Sequence, residues 1–128
     1  GHDLLSRTYV FKTLIESGAK LTFGSDWTVA SLNPMTGIYA SITRSTRDGK
    51  NPNGWFPEEK ITVQDALKSY TINNAYAAFW EERTGSIVAG KYADFVVHSE
   101  NLLEADSEKI LNSKVLRTVV GGRDFLFD

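Results

Sequence analysis

Lys20-Leu21-Thr22-Phe23-Gly24-Ser25-Asp26-Trp27 is the stretch on which the fold turns. Lys20 to Gly24 reads as a short strand, with Leu21 and Phe23 pointing to one face and Thr22 and Gly24 to the other. Asp26 lies two residues beyond Gly24 and shares its parity. If Leu21 and Phe23 face surrounding helices, Thr22, Gly24 and Asp26 face the opposite way. Asp26 then projects just past the C-terminal end of the strand, with Trp27 at the rim. Spacing alone leaves a second reading open, in which Asp26 is a turn or helix-capping carboxylate. Ser25 lacks the Gly-x-Ser-x-Gly elbow of a nucleophile and reads as a turn hydroxyl.

Working outward, the flanking segments alternate in type. From Leu4 to Ser17, Phe11, Leu14 and Ile15 recur at helical spacing, and Gly18 suits the C′ position. Asn33-Pro34 is a helix start, with Asn as N-cap and Pro at the first helical position. Met35, Ile38, Tyr39 and Ile42 form one apolar stripe behind it. Asp48-Gly49, Asn51-Pro52 and Asn53-Gly54 mark residues 44–60 as a long loop. Thr62 with Asp65 resembles a capping box opening a helix through Tyr70. Thr71 is expected to cap a second short helix carrying Ala75, Ala78 and Phe79. After Gly85 strands alone are expected: Tyr92 to His98, Lys114 to Val120, and a third through Phe127 after a Gly121-Gly122 hairpin turn. Gly90-Lys91 reads as a turn before the first of these, with Asp94 bonded locally.

One short strand of the parallel type needs neighbours on both sides, and none is encoded nearby. The expected fold class is therefore α/β: the last βα portion (residues 4–84) of a closed (β/α)8 barrel, then C-terminal strands (residues 85–128). Such a barrel typically needs about 250 residues, whereas this chain has 128. Active sites of such barrels sit at the C-terminal ends of the strands, where Asp26 would lie.

Composition removes other classes. Hydrophobic residues at 41% and charged residues at 23% argue against disorder, and a formal net charge of -2 with interspersed signs gives no footprint for nucleic acid or membrane. The chain has no cysteine, which excludes disulfides and thiolate metal sites and fits a cytoplasmic location. No signal peptide is evident, and residues 1–3 read as a terminal tail with Gly1-His2 as the remnant of an affinity tag.

Several motifs in order carry a resemblance. They are Gly24-Ser25-Asp26-Trp27, Asn33-Pro34, Gly37-Ile38-Tyr39-Ala40 and Thr43-Arg44, then Thr62-x-x-Asp65-Ala66-Leu67-x-x-Tyr70-Thr71. Gly85-Ser86-Ile87-x-x-Gly90-Lys91-x-Ala93-Asp94-Phe95-Val96-Val97 and Val120-Gly121-Gly122-Arg123 complete the set. From about Tyr9 to Phe127 the chain resembles the amidohydrolase family 3 group, and within it the YtcJ-like metal-dependent hydrolases. Thr28 departs from the proline usual after that tryptophan.

The resemblance implies a divalent metal, usually zinc, at the barrel mouth, and hydrolysis of a non-peptide C–N bond in a small-molecule amide. Asp26 matches the family's last-strand aspartate, a metal ligand and proton acceptor. The other ligands are missing. His2 stands too close to Asp26 in sequence, and His98 falls in the β-tail, which in the family joins a β-sandwich beside the barrel. The isolated chain is thus expected to hold no metal and to be inactive. Trp27 and Arg44 are candidate substrate contacts. Arg47 and Trp55 are weaker ones; the loop arginines Arg44 and Arg47 read more readily as solvated, Trp55 more readily as packed against helices, and Trp27 as readily so. The alternative function is a non-catalytic binding or oligomerisation module, because a partial barrel exposes apolar faces suited to a homo-oligomer.

Overall fold

The computed structural model describes residues 2–5 and 7–125, the side chains of His2 and Asp3 excepted. In chain order the elements are α1 (His2–Leu5), α2 (Phe11–Glu16), α3 (Pro34–Thr43), α4 (Val63–Tyr70) and α5 (Ile72–Ala77). They continue with β1 (Phe95–His98), α6 (Ser107–Leu111), β2 (Val115–Val120) and β3 (Arg123–Phe125). A single 3₁₀ turn, Pro57–Glu59, sits between α3 and α4.

Local chemistry explains where the helices start and stop. Asn33 Oδ1 accepts the Met35 N–H at 3.0 Å and caps α3. Thr62 Oγ1 accepts the Asp65 N–H at 3.0 Å and donates to Asp65 Oδ2 at 2.6 Å, which closes the capping box of α4. α2 ends in a Schellman motif: Gly18, at φ +91°, donates to Ile15 O, and Ala19 donates to Leu14 O. Met35, Ile38 and Tyr39 are buried as the stripe required, and Ile42 packs beside them.

Four expectations need correction. The helix over residues 4–17 is two helices, because Tyr9 adopts φ +54° and gives its carbonyl to Arg44 Nη1. A carbonyl taken sideways leaves the helical ladder. Residues 20–24 run extended but belong to no sheet, since among the described residues no strand lies beside them. Thr71 Oγ1 donates back to Leu67 O and does not cap α5, while Ala78 and Phe79 are exposed. The region after Gly85 is not strands alone: α6 lies within it, capped by Asp106, whose side chain accepts the Lys109 N–H.

The β-tail otherwise follows the pattern read from it, with its first strand beginning at Phe95. β1, β2 and β3 form an antiparallel sheet in that order. Gly121 and Gly122, at φ +55° and +77°, make the two-residue turn between β2 and β3. Asp94 holds the sheet locally, accepting from Gly121 N–H and from Thr84 Oγ1. The continuation of β3 to Phe127, and Gly1 of the expected tag remnant, lie outside the described residues.

One apolar cluster joins both parts of the chain: Met35, Ile38, Ile61 and Ala66 with Leu102 and Ile110. Phe11, Ile15, Phe23 and Tyr70 pack against it. The core thus lies between α3, α4 and α6, and the extended segment 20–24 rests on its flank. No helix among the described residues is long and apolar enough to cross a membrane.

Candidate active site

An extended segment must find partners for its backbone groups, and here helices supply them. Phe23 N–H donates to Ser69 O at 2.9 Å. Asn73 Nδ2 donates to Leu21 O and Asn74 Nδ2 to Phe23 O, each at 2.9 Å. The Phe23 ring sits between Phe11, 5.1 Å away centre to centre, and Tyr70, at 5.6 Å. Leu21 and Phe23 are therefore half-buried, whereas Thr22, Gly24 and Asp26 are exposed. A side chain added at Gly24 would meet open space.

Asp26 follows in the left-handed region at φ +48°. Its carbonyl accepts the Val29 N–H at 2.7 Å, and Ser25 O accepts the Ala30 N–H at 3.1 Å, which folds residues 25–30 into a tight turn. The Trp27–Thr28 peptide is cis. Among the described residues the Asp26 carboxylate makes no hydrogen bond or ion pair, so it caps neither that turn nor α3. Asn33 does the capping. Trp27, beside it, is 61% exposed.

Arg44 is committed to structural contacts. It closes the C-terminal end of α3, with the ten residues of that helix between it and Asn33, about 15 Å at the usual helical rise. It is only 9% exposed. Nε donates to Trp55 O at 2.6 Å and Nη1 to Tyr9 O at 2.7 Å, while Nη2 is buried without a hydrogen-bond partner among the described residues. The guanidinium lies over the Trp55 ring at 5.0 Å. Burial lowers its pKa, opposed by the negative charges of Glu59 and Glu58. Trp55 is packed, edge-on to Phe56 and Tyr9. Arg47 is exposed. Trp27 adjoins Asp26 in sequence, and the Arg44 guanidinium also lies 5.8 Å from the ring of Phe11, which packs on Phe23 of the segment that leads to Asp26.

Among the described residues no three His, Cys, Asp or Glu side chains lie together. His98 is half-buried in the sheet, its Nδ1 3.4 Å from Ser113 Oγ, and burial lowers its pKa. Two clefts open on the surface. One, of about 890 Å³, lies between α3, α5 and the sheet, and the other, of about 720 Å³, lies between α3, the long loop and α6. Asp26 lines neither.

Three polar residues escape a reading of the sequence. Glu59 is buried and accepts hydrogen bonds from Thr13 N–H, at 3.0 Å, and from the Thr13 hydroxyl. Asn73 and Asn74 hold the extended segment. The available signal was two successive asparagines, weak helix formers, inside a short helix that neither of them caps.

With this geometry in place, comparison with known proteins decides the ancestry. A sequence model described as the Amidohydrolase family matches residues 1–124. The chain belongs to the amidohydrolase family. This amidohydrolase chain is 39% identical over 119 residues to Protein LONG AFTER FAR-RED 3 of Arabidopsis thaliana, covering 93% of the chain and 20% of that protein. It is 28% identical over 123 residues to the putative amidohydrolase YtcJ of Bacillus subtilis (strain 168), covering 96% and 23%. It is also 28% identical over 116 residues to the N-substituted formamide deformylase of Arthrobacter pascens, covering 91% and 21%. The crystal structure of an amidohydrolase from Thermotoga maritima MSB8 superimposes with a TM-score of 0.69 at 23% identity, covering 93% of this chain and 26% of that one. That likeness speaks to fold. The amidohydrolase chain therefore spans about a fifth of the length of the curated relatives it matches.

Proposed function

We propose that this chain is part of a longer metal-dependent amidohydrolase that hydrolyses a carbon–nitrogen bond, other than a peptide bond, in a small-molecule amide. In this reading, residues 4–84 are the last βα portion of a (β/α)8 barrel and residues 85–128 contribute strands to a β-sandwich beside it. Asp26 is the reactive carboxylate, and Trp27 is a wall of the substrate pocket. The buried guanidinium of Arg44 makes it a brace for Tyr9 and Trp55.

The observation that carries the reading is the exposure of Asp26 at the end of an extended segment, beside Thr22 and Gly24, with its carboxylate uncommitted. A carboxylate in that state suits a metal ligand. In this reading the donor set of this chain is incomplete, because no three His, Cys, Asp or Glu side chains lie together among the described residues. The remaining ligands must come from outside it. When bound, a divalent ion, zinc in this reading, supplies Lewis acidity and a lowered water pKa. Asp26 itself accepts a proton from the attacking water and returns it to the leaving nitrogen, the work of a general base and then acid. The formamide deformylase among the relatives supports an amide-type substrate.

The test is Asp26→Asn in the longer protein. Asn tolerates the left-handed backbone and removes only the charge, so turnover should fall about a thousandfold. Near-normal turnover would overturn the role. For the 128-residue chain alone, elemental analysis after dialysis should find no stoichiometric metal, and finding one would contradict the incomplete site.

A further inference from the structure

We infer that Asn73 and Asn74 are positioning residues for Asp26, acting on the carbonyls of the segment that presents it; the inference rests on the reading of Asp26 as the reactive carboxylate. An extended backbone directs the N–H and C=O of alternate residues to opposite edges. On the edge of Leu21 and Phe23, three groups are satisfied by one helical hairpin: Leu21 O by Asn73, Phe23 O by Asn74, and Phe23 N–H by Ser69 O. On the other edge, the backbone groups of Thr22 and Gly24 make no hydrogen bond among the described residues. The segment is held from one side only, and two of its three hydrogen-bonded anchors are amide side chains.

Those amides fix register as well as location. The carbonyls they hold are two residues apart, about 6.6 Å along an extended chain, and each takes its own amide. A slip of one residue would turn both carbonyls to the far edge and swing Asp26 to the opposite face. A slip of two would remove the Phe23 ring from its seat between Phe11 and Tyr70. The amides and the ring together leave one position for residues 21–23, and the turn carrying Asp26 begins two residues later. Among the described residues neither asparagine side chain makes a second hydrogen bond.

Amide hydrogen exchange of the 128-residue chain, read by NMR, tests the anchoring without using activity. In Asn73→Ala and Asn74→Ala, exchange of the Phe23 N–H should accelerate about tenfold, while Ile38 and Ala66 in the core exchange as before. Asn74→Asp keeps the size but removes the donor, and it should match Asn74→Ala. An unchanged Phe23 amide, equal acceleration throughout the core, or wild-type behaviour of Asn74→Asp would overturn the inference. In the longer protein, either alanine variant should lower kcat about tenfold with KM unchanged. If Asp26→Asn is inactive but the asparagine variants keep full kcat, the positioning role fails alone. If Asp26→Asn remains active, the reading on which it rests fails, whatever the exchange shows.

Discussion

Glu59 joins three parts of the chain at one carboxylate. Burial by itself would raise its pKa, but hydrogen bonds from the Thr13 hydroxyl and the Thr13 and Lys12 backbone, with the charge of Arg44, outweigh that and lower it. A carboxylate with a depressed folded pKa stabilises the fold above its unfolded pKa, about 4.3. That contribution disappears as pH falls through the folded value. Glu59→Gln should therefore melt a few degrees below wild type at neutral pH. The gap should close in acid below the ordinary carboxylate range. Thermal melts of both proteins across pH check this, and a gap independent of pH would exclude the charge as its cause. Asp26 shows the opposite condition, a carboxylate with no partner among the described residues. Its left-handed backbone makes Asp26→Ala a poor probe, because alanine adds strain at φ +48° to the loss of charge.

At the scale of elements, α3 and α4 meet where Gly37 faces Tyr70. A Cβ at Gly37 would land on the Tyr70 hydroxyl. Gly37→Ala should accordingly destabilise the chain by about 1–3 kcal/mol despite alanine's better helix propensity. Thr62→Ala, which removes the α4 cap, should cost about 1 kcal/mol. Urea denaturation measures both, and a stabilised Gly37→Ala would mean that α3 and α4 do not touch there. The same elements show what a sequence makes legible. Asn33-Pro34, Thr62 with Asp65, and Gly121-Gly122 were readable because a cap or a turn is decided within four residues. The facing of Leu21, Phe23 and Asp26 was readable because alternation has a period of two. Partners of residues 20–24 were not, since Ser69, Asn73 and Asn74 lie about fifty positions away. Arg44 looked like an exposed loop residue for a similar reason: Tyr9 and Trp55, which bury it, are remote or lie across a loop. The five-residue α6 is too short to show a period.

At the scale of the whole molecule, apolar surface is left uncovered. Phe79 is 91% exposed, and Val29, Ile87, Leu116 and Phe125 are exposed as well. Faces of this kind are normally covered by more protein. We therefore expect the 128-residue chain to associate with itself as concentration rises. Sedimentation velocity over a concentration series checks this, and a monomer throughout would show that the surface is tolerated. The one-sided hold on residues 21–23 also has a consequence in time. Asn73 and Asn74 follow their carbonyl partners by 52 and 51 positions. At about 5–20 residues per second, a ribosome needs several seconds to span that interval. Through those seconds the nascent stretch around Asp26 has been made, but the side chains that seat it have not. The seating of residues 21–23 in this amidohydrolase chain therefore trails their synthesis and waits for α5.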